Sequence, residues 1–151
     1  MDDLRELYQA TILGHNKKPR NFRVIEDATH RADGRNPLCG DALTLYARVN
    51  ESGAVEDLAF QGTGCAISKA SASLMTEFVK GKPVAEIHAD FERFHKLVTG
   101  PPGVEPDVRD LGKLAVFAGV REYPVRVKCA TLAWHALRSA LEDGGETVQT
   151  E

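Results

Sequence analysis

The sequence predicts an α+β fold, with a small antiparallel sheet of about three strands and helices packed mainly on one face. Between Asp41 and Gly62, apolar residues alternate in two stretches separated by Glu51-Ser52-Gly53, which is the pattern of a β-hairpin. After Cys65, apolar residues recur at helical spacing in successive segments, without the interleaved strands that a parallel sheet requires. A chain of 151 residues, 42% hydrophobic, is long enough for one domain with a real core and short for two. Residues 1–142 are expected to form that domain. The polar stretch 143–151 reads as a disordered tail.

Leu4, Leu7, Tyr8 and Ile12 place an amphipathic helix over Asp2–His15, with Asp2 or Asp3 as its cap, and Lys17-Lys18-Pro19-Arg20-Asn21 breaks it. Leu43, Leu45, Ala47 and Val49 then mark a strand over Asp41–Asn50. Val55, Leu58 and Phe60 mark a second, ending at Gly62. Following Gly62-Thr63-Gly64, a helix opens on Cys65, runs through Ile67, Leu74, Met75, Phe78 and Val79, and stops at Gly81 and Pro83. Val84–Val98 repeats the helical period with Ile87, Phe91, Phe94, Leu97 and Val98 inward, and Gly100-Pro101-Pro102-Gly103 is a loop. Asp110 is placed to cap a short helix through Val120. Pro124 introduces an extended piece, Val125-Arg126-Val127, and a long helix follows Cys129 through Leu132, Ala133, Ala136, Leu137 and Leu141.

The 22 acidic and 19 basic residues are scattered and give a formal charge of −3, so no polyanion-binding stripe stands out and nucleic acid is not an expected partner. Asp2, Asp3, Arg5 and Glu6 interrupt the first helix, unlike the basic start and apolar run of a secretory signal. No stretch of about 18 apolar residues offers a membrane span. The expectation is a soluble, cytoplasmic protein with reduced thiols. Three cysteines in that compartment are core packing or chemistry, since the count is odd and the glutathione pool opposes oxidation.

Cys39 lies in Asn36-Pro37-Leu38-Cys39-Gly40-Asp41, a Pro/Gly turn that holds a thiol at a surface. Asp41 is near enough for thiolate and carboxylate to face one ion if Gly40 lets the chain bend. A buried cysteine beside an Asx turn is the plainer alternative. Cys65 sits where a helix begins, and the helix dipole there favours thiolate over thiol. A phosphate cradle is the competing reading of Gly62-Thr63-Gly64, but the Lys-Ser/Thr ending of a P-loop is missing. Cys129 is read the same way, as a thiol at the start of the last helix. No CxxC pair is present, so spacing alone is a moderate metal signal.

The histidines are weaker candidates. His88 and His95 share a helix face that reads as solvated surface; His15 and His30 have no metal-type partner nearby, and His135 lies six residues beyond Cys129. The Lys17–Asn21 segment is either a docking loop or solvated charge. Arg126 and Lys128 flank Val127 just before Cys129, where they would stabilise a thiolate or an anionic persulfide, or serve as plain edge-strand charge.

Taken together, three ordered cysteine segments resemble the SufU-type branch of the NifU/IscU family of iron–sulfur cluster assembly proteins. They are Asn36–Asp41, Gly62-Thr63-Gly64-Cys65-Ala66-Ile67-Ser68-Lys69-Ala70-Ser71-Ala72-Ser73 and Arg126-Val127-Lys128-Cys129-Ala130-Thr131-Leu132-Ala133-Trp134, with Leu7-Tyr8 and His15–Asn21 before them. The resemblance covers nearly the whole chain and implies the fold of the NifU/IscU N-terminal domain. Lys128 stands where the scaffold branch has histidine, and the stretch from about Ala89 to Asp110 resembles an insertion of the SufU-type branch.

The resemblance implies Cys39, Asp41, Cys65 and Cys129 as zinc ligands, a set that suits a tetrahedral ion. It also implies Cys39 as the thiol that takes persulfide sulfur from a SufS-type cysteine desulfurase, with that partner supplying a replacement ligand, a histidine, and with downstream iron–sulfur assembly proteins as further partners. Arg126 is the candidate for contact with the partner or the persulfide. Asp41, a hard oxygen among soft thiolates, is expected to tune how easily the site opens. The alternatives are a scaffold holding a [2Fe–2S] cluster on the same ligands and an interaction module with a structural zinc.

Overall fold

The computed structural model describes residues 2–101, 103–142 and 148–149. In chain order the elements are α1 (Asp2–Lys17), β1 (His30–Asn36), β2 (Asp41–Val49), β3 (Val55–Thr63), α2 (Ala66–Val79), α3 (Val84–Thr99), a 3-10 helix (Gly112–Glu122), α4 (Pro124–Glu142) and β4 (Val148–Gln149). Three antiparallel strands, in the spatial order β3-β2-β1, make the body of the sheet, and β4 adds two residues parallel to β1 as a fourth strand. The α+β class read from the sequence is therefore the observed one. The tail read as disordered contributes β4; its other residues lie outside those described.

Strict alternation along β2 turns Asp41, Leu43, Leu45 and Ala47 to the buried face. Leu45 faces Phe60 and Ala47 faces Leu58 across the ladder to β3, so these side chains meet on one face. Helix α4 lies over β1 and β2, α2 packs on β3 and α4, and α1 leans on α2 and the 3-10 helix. The aromatic centre of the helical layer is Trp134 stacked on Phe94, with centroids 4.9 Å apart, and Phe117 meeting Phe94 edge-on.

Strand β1 is invisible in the sequence for a physical reason. Its inward residues are Ala32, Gly34 and Asn36, so the period-2 apolar signal is missing. A Cβ on Gly34 would stand 3.2 Å from Leu132 Cδ1, which shows how closely α4 approaches the strand.

Two local expectations are corrected. Val125-Arg126-Val127 is helical, because α4 begins at Pro124, whose fixed φ and missing N–H suit a first helical turn. Cys129 is accordingly in the second turn of α4 and not at its start. Asp110 does not cap a helix: it adopts a φ of 63°, and the segment after it is a 3-10 helix without a side-chain cap.

The Lys17–Asn21 segment is partly tied to the fold. Arg20 N–H donates to Ser73 Oγ at 2.7 Å, the Asn21 amide reaches Thr76 Oγ1 at 3.0 Å, and His15 Nδ1 is 2.7 Å from Ser73 Oγ. Among the described residues, no helix is long and apolar enough to cross a membrane.

Candidate metal centre

The site forms where the β1–β2 turn, the start of α2 and the second turn of α4 converge. Pairing of Asn36 with Asp41 closes the turn at the end of the sheet, and Gly40 takes a φ of 70° that a side chain would disfavour. Cys39, at the tip, is half-buried, its N–H donates to the Asn36 carbonyl at 3.2 Å, and its neighbour Leu38 is 64% exposed. The phase of β2 carries Asp41 onto the inward face, where it is 2% exposed.

Asp41 is held from two sides. Its Oδ1 accepts the backbone N–H of Cys65 at 2.7 Å, and its Oδ2 meets the Asn36 amide at 3.4 Å and the Cys65 thiol at 3.9 Å. Only a glycine fits at position 64, since a Cβ there would lie 2.5 Å from Asp41 Oδ1. Cys65 is the N-cap of α2, as the sequence suggests, and its sulfur accepts Ser68 N–H at 3.4 Å. Cys129 is buried in α4, with its Sγ 3.2 Å from Cys39 Sγ and 3.5 Å from Asn36 Nδ2. A disulfide has sulfurs about 2.05 Å apart, so both are free thiols.

Ligand atoms of Cys39, Asp41 and Cys129 all lie within 4.8 Å of one another. Cys65 stands at the edge of this trio, turned toward the amino end of its own helix but still within reach of the carboxylate. Three thiols and a carboxylate converging from three elements are the donor set of a closed tetrahedral site for a thiophilic ion.

The thiols are electrostatically unequal. Cys65 ionises at about 7, drawn down chiefly by the Cys129 thiol donating to it and further by the Ser68 and Ile67 N–H groups, against burial and the Asp41 charge. Cys129 is pushed the other way, above the usual thiol range, by that same bond to Cys65 and by burial.

Arg126 lies one helical turn before Cys129, on the same side of α4, with its guanidinium 4.4 Å over the Tyr123 ring. Beside it, Tyr123 and Val125 are 47% and 52% exposed. The histidines are elsewhere: His88 Nδ1 pairs with Glu142 at 3.2 Å, and His95 stacks on Phe91 near His135. Asn36 was not singled out by sequence reasoning. Its one legible signal is the spacing from Asp41, which a tight turn converts into a cross-strand pair.

The NifU-like N-terminal domain model matches residues 7–130. The chain belongs to that family. The match contains all four candidate ligands. Relatives include the zinc-dependent sulfurtransferase SufU of Bacillus subtilis, 40% identical over 95% of this chain and 96% of its own length. The iron–sulfur cluster assembly scaffold protein IscU of Streptococcus pyogenes is 38% identical over 94% of this chain and 87% of its own. Among solved structures, a protein of Fervidobacterium islandicum described as a cluster assembly scaffold for the SUF system superposes with a TM-score of 0.82. It is 34% identical over 91% of this chain and 98% of its own. Family membership thus assigns the chain to iron–sulfur cluster assembly, and the relatives' names divide between sulfur transfer and scaffolding.

Proposed function

We propose that this family member is a zinc-dependent sulfurtransferase, accepting persulfide sulfur on Cys39 from a SufS-type cysteine desulfurase for iron–sulfur cluster assembly. The observation that supports it most is the unequal anchoring of the candidate ligands. Asp41 is fixed by Cys65 N–H, Cys65 by Ser68 N–H and Cys129 by burial in α4. Cys39 sits in a glycine-hinged turn, and its sulfur meets only that of Cys129 among the contacts of the described residues. It is the thiol that can leave with the least disturbance.

Cys39, Asp41, Cys65 and Cys129 would hold the zinc, which when bound keeps the thiols deprotonated at neutral pH. The Cys39 thiolate attacks the outer sulfur of the donor's persulfide. A new bond forms between Cys39 Sγ and that sulfur, the donor's sulfur–sulfur bond breaks, and its electron pair returns to the donor cysteine as thiolate, with no net redox change. Arg126 is exposed and one turn from Cys129, which supports a role in meeting the anionic persulfide or the partner. A histidine from the desulfurase is the proposed replacement for Cys39.

The names of the scaffold relatives favour a second reading, in which the same four residues hold a [2Fe–2S] cluster. Two measurements separate them. Anaerobic purification gives a colourless zinc protein on the first reading and a brown one containing iron and sulfide on the second. Desulfurase turnover without external reductant should rise strongly with zinc-loaded wild type and not with Cys39→Ala; no stimulation by folded, zinc-loaded wild type rejects the transferase.

A further inference from the structure

We propose that Asn36 is a positioning residue of the metal site, whose side-chain amide holds Cys129 and Asp41 as the fixed ligands against which Cys39 departs and returns. The inference rests on the metal-binding reading above. Asn36 ends β1, is 0% exposed, and is paired across the ladder with Asp41, so both side chains share the inward face. Its Nδ2 donates to Asp41 Oδ2 at 3.4 Å and to Cys129 Sγ at 3.5 Å. The first is long for an N–H···O bond; the second matches the larger radius of sulfur.

The other end of the amide points to the same conclusion. Asn36 Oδ1 is buried without a partner, and a buried unsatisfied oxygen is destabilising. An apolar side chain would fill the position without that penalty, so the favourable contacts of the amide are at its nitrogen, where it joins ligand atoms from β2 and α4. A donor bonded to a coordinated thiolate withdraws charge from the sulfur and fixes its direction, which is how outer-shell groups set ligand strength. Among the contacts of the described residues the Cys39 sulfur accepts only the Cys129 thiol, at 3.2 Å, and no N–H, so one amide makes the site asymmetric.

Zinc-loaded wild type, Asn36→Ala and Asn36→Asp are challenged with a chromophoric chelator, and the cobalt-substituted forms are compared by visible absorption. Asn36→Ala should keep the far-UV circular dichroism of the wild type yet release zinc about 10- to 100-fold faster. Its sulfur-to-cobalt charge-transfer band should move to lower energy, because a thiolate without its N–H donor gives up charge more readily. Asn36→Asp, with the same shape but an oxygen facing Asp41, should release zinc faster still. Unchanged release and an unchanged cobalt band in Asn36→Ala would overturn the inference alone. A wild type that takes up no tetrahedral cobalt would overturn the metal-site reading and this inference with it. Should both variants fail to fold, cadmium-113-loaded wild type decides: scalar coupling between the metal and an Asn36 Nδ2 proton through Cys129 Sγ is expected, and its absence rejects the contact.

Discussion

The carboxylate of Asp41 accepts the backbone N–H of Cys65 at 2.7 Å, so the first residue of β2 closes the amino end of α2. One oxygen thus satisfies an orphan helix donor while the other faces the thiols. The carboxylate thus holds a helix end while standing among the candidate ligands.

Replacing Asp41 by alanine should therefore act twice. Leaving the Cys65 N–H without its acceptor is expected to destabilise the metal-free protein by about 1–3 kcal/mol. Loss of the oxygen ligand should also change zinc affinity and the rate of sulfur transfer from Cys39. Denaturant unfolding reads the first effect; chelator competition and persulfide transfer read the second. Wild-type values for zinc affinity and transfer would remove Asp41 from the site's chemistry.

Gly64→Ala probes the same contact from the backbone side. Its Cβ would stand 2.5 Å from Asp41 Oδ1 and 3.1 Å from Asp41 Cγ, too close for either to remain. A cost of about 1–3 kcal/mol in stability is expected from the overpacking. Metal affinity should fall by about 10-fold or more, measured by zinc competition.

Stripping zinc should lower the thermal midpoint by about 10 °C at a free metal concentration 1,000 times the dissociation constant. That figure follows from about 4 kcal/mol of binding linkage in a chain of this length. Scanning calorimetry with and without chelator tests it, and a midpoint indifferent to chelator would mean the ligands do not tie the elements together.

Acid should weaken the helical layer through His135. Burial first, then the positive charges of Arg138 and His95, lower its ionisation from the ordinary 6.5 to about 4. Between these values the unfolded chain binds a proton that the folded protein refuses. The stabilisation is therefore complete above pH 6.5 and is lost as pH falls toward 4. His135→Phe, which keeps a ring against Phe91, should make thermal stability fall less steeply across that window. An equal slope in the two proteins would place the acid sensitivity elsewhere.

Much of the architecture is legible because large apolar residues obey one period. Leu43, Leu45 and Ala47 announce β2, and Ile67, Leu74 and Met75 announce α2. Where the inward residues are Ala32, Gly34 and Asn36, the pattern has nothing to display, and β1 emerges only once α4 is seen lying against it. Val125 and Val127 mislead in the opposite direction, since their alternation suggests a strand while Pro124 sets a helix. The candidate ligand positions stand out through three cysteine segments and the resemblance they carry. The contact between Asn36 and Cys129 cannot, because the two residues are 93 positions apart and no local rule connects them.

The convergence of three elements on one site also orders events during synthesis. Cys39 leaves the ribosome 90 residues ahead of Cys129, and the chain then completes β2, β3, α2 and α3 before the last thiol emerges. A nascent chain carries the exposed turn and the capped helix start long before it carries the buried thiol of α4. Chains arrested before α4 would lack the third sulfur, so occupancy of the completed site would mark a molecule whose last helix is in place.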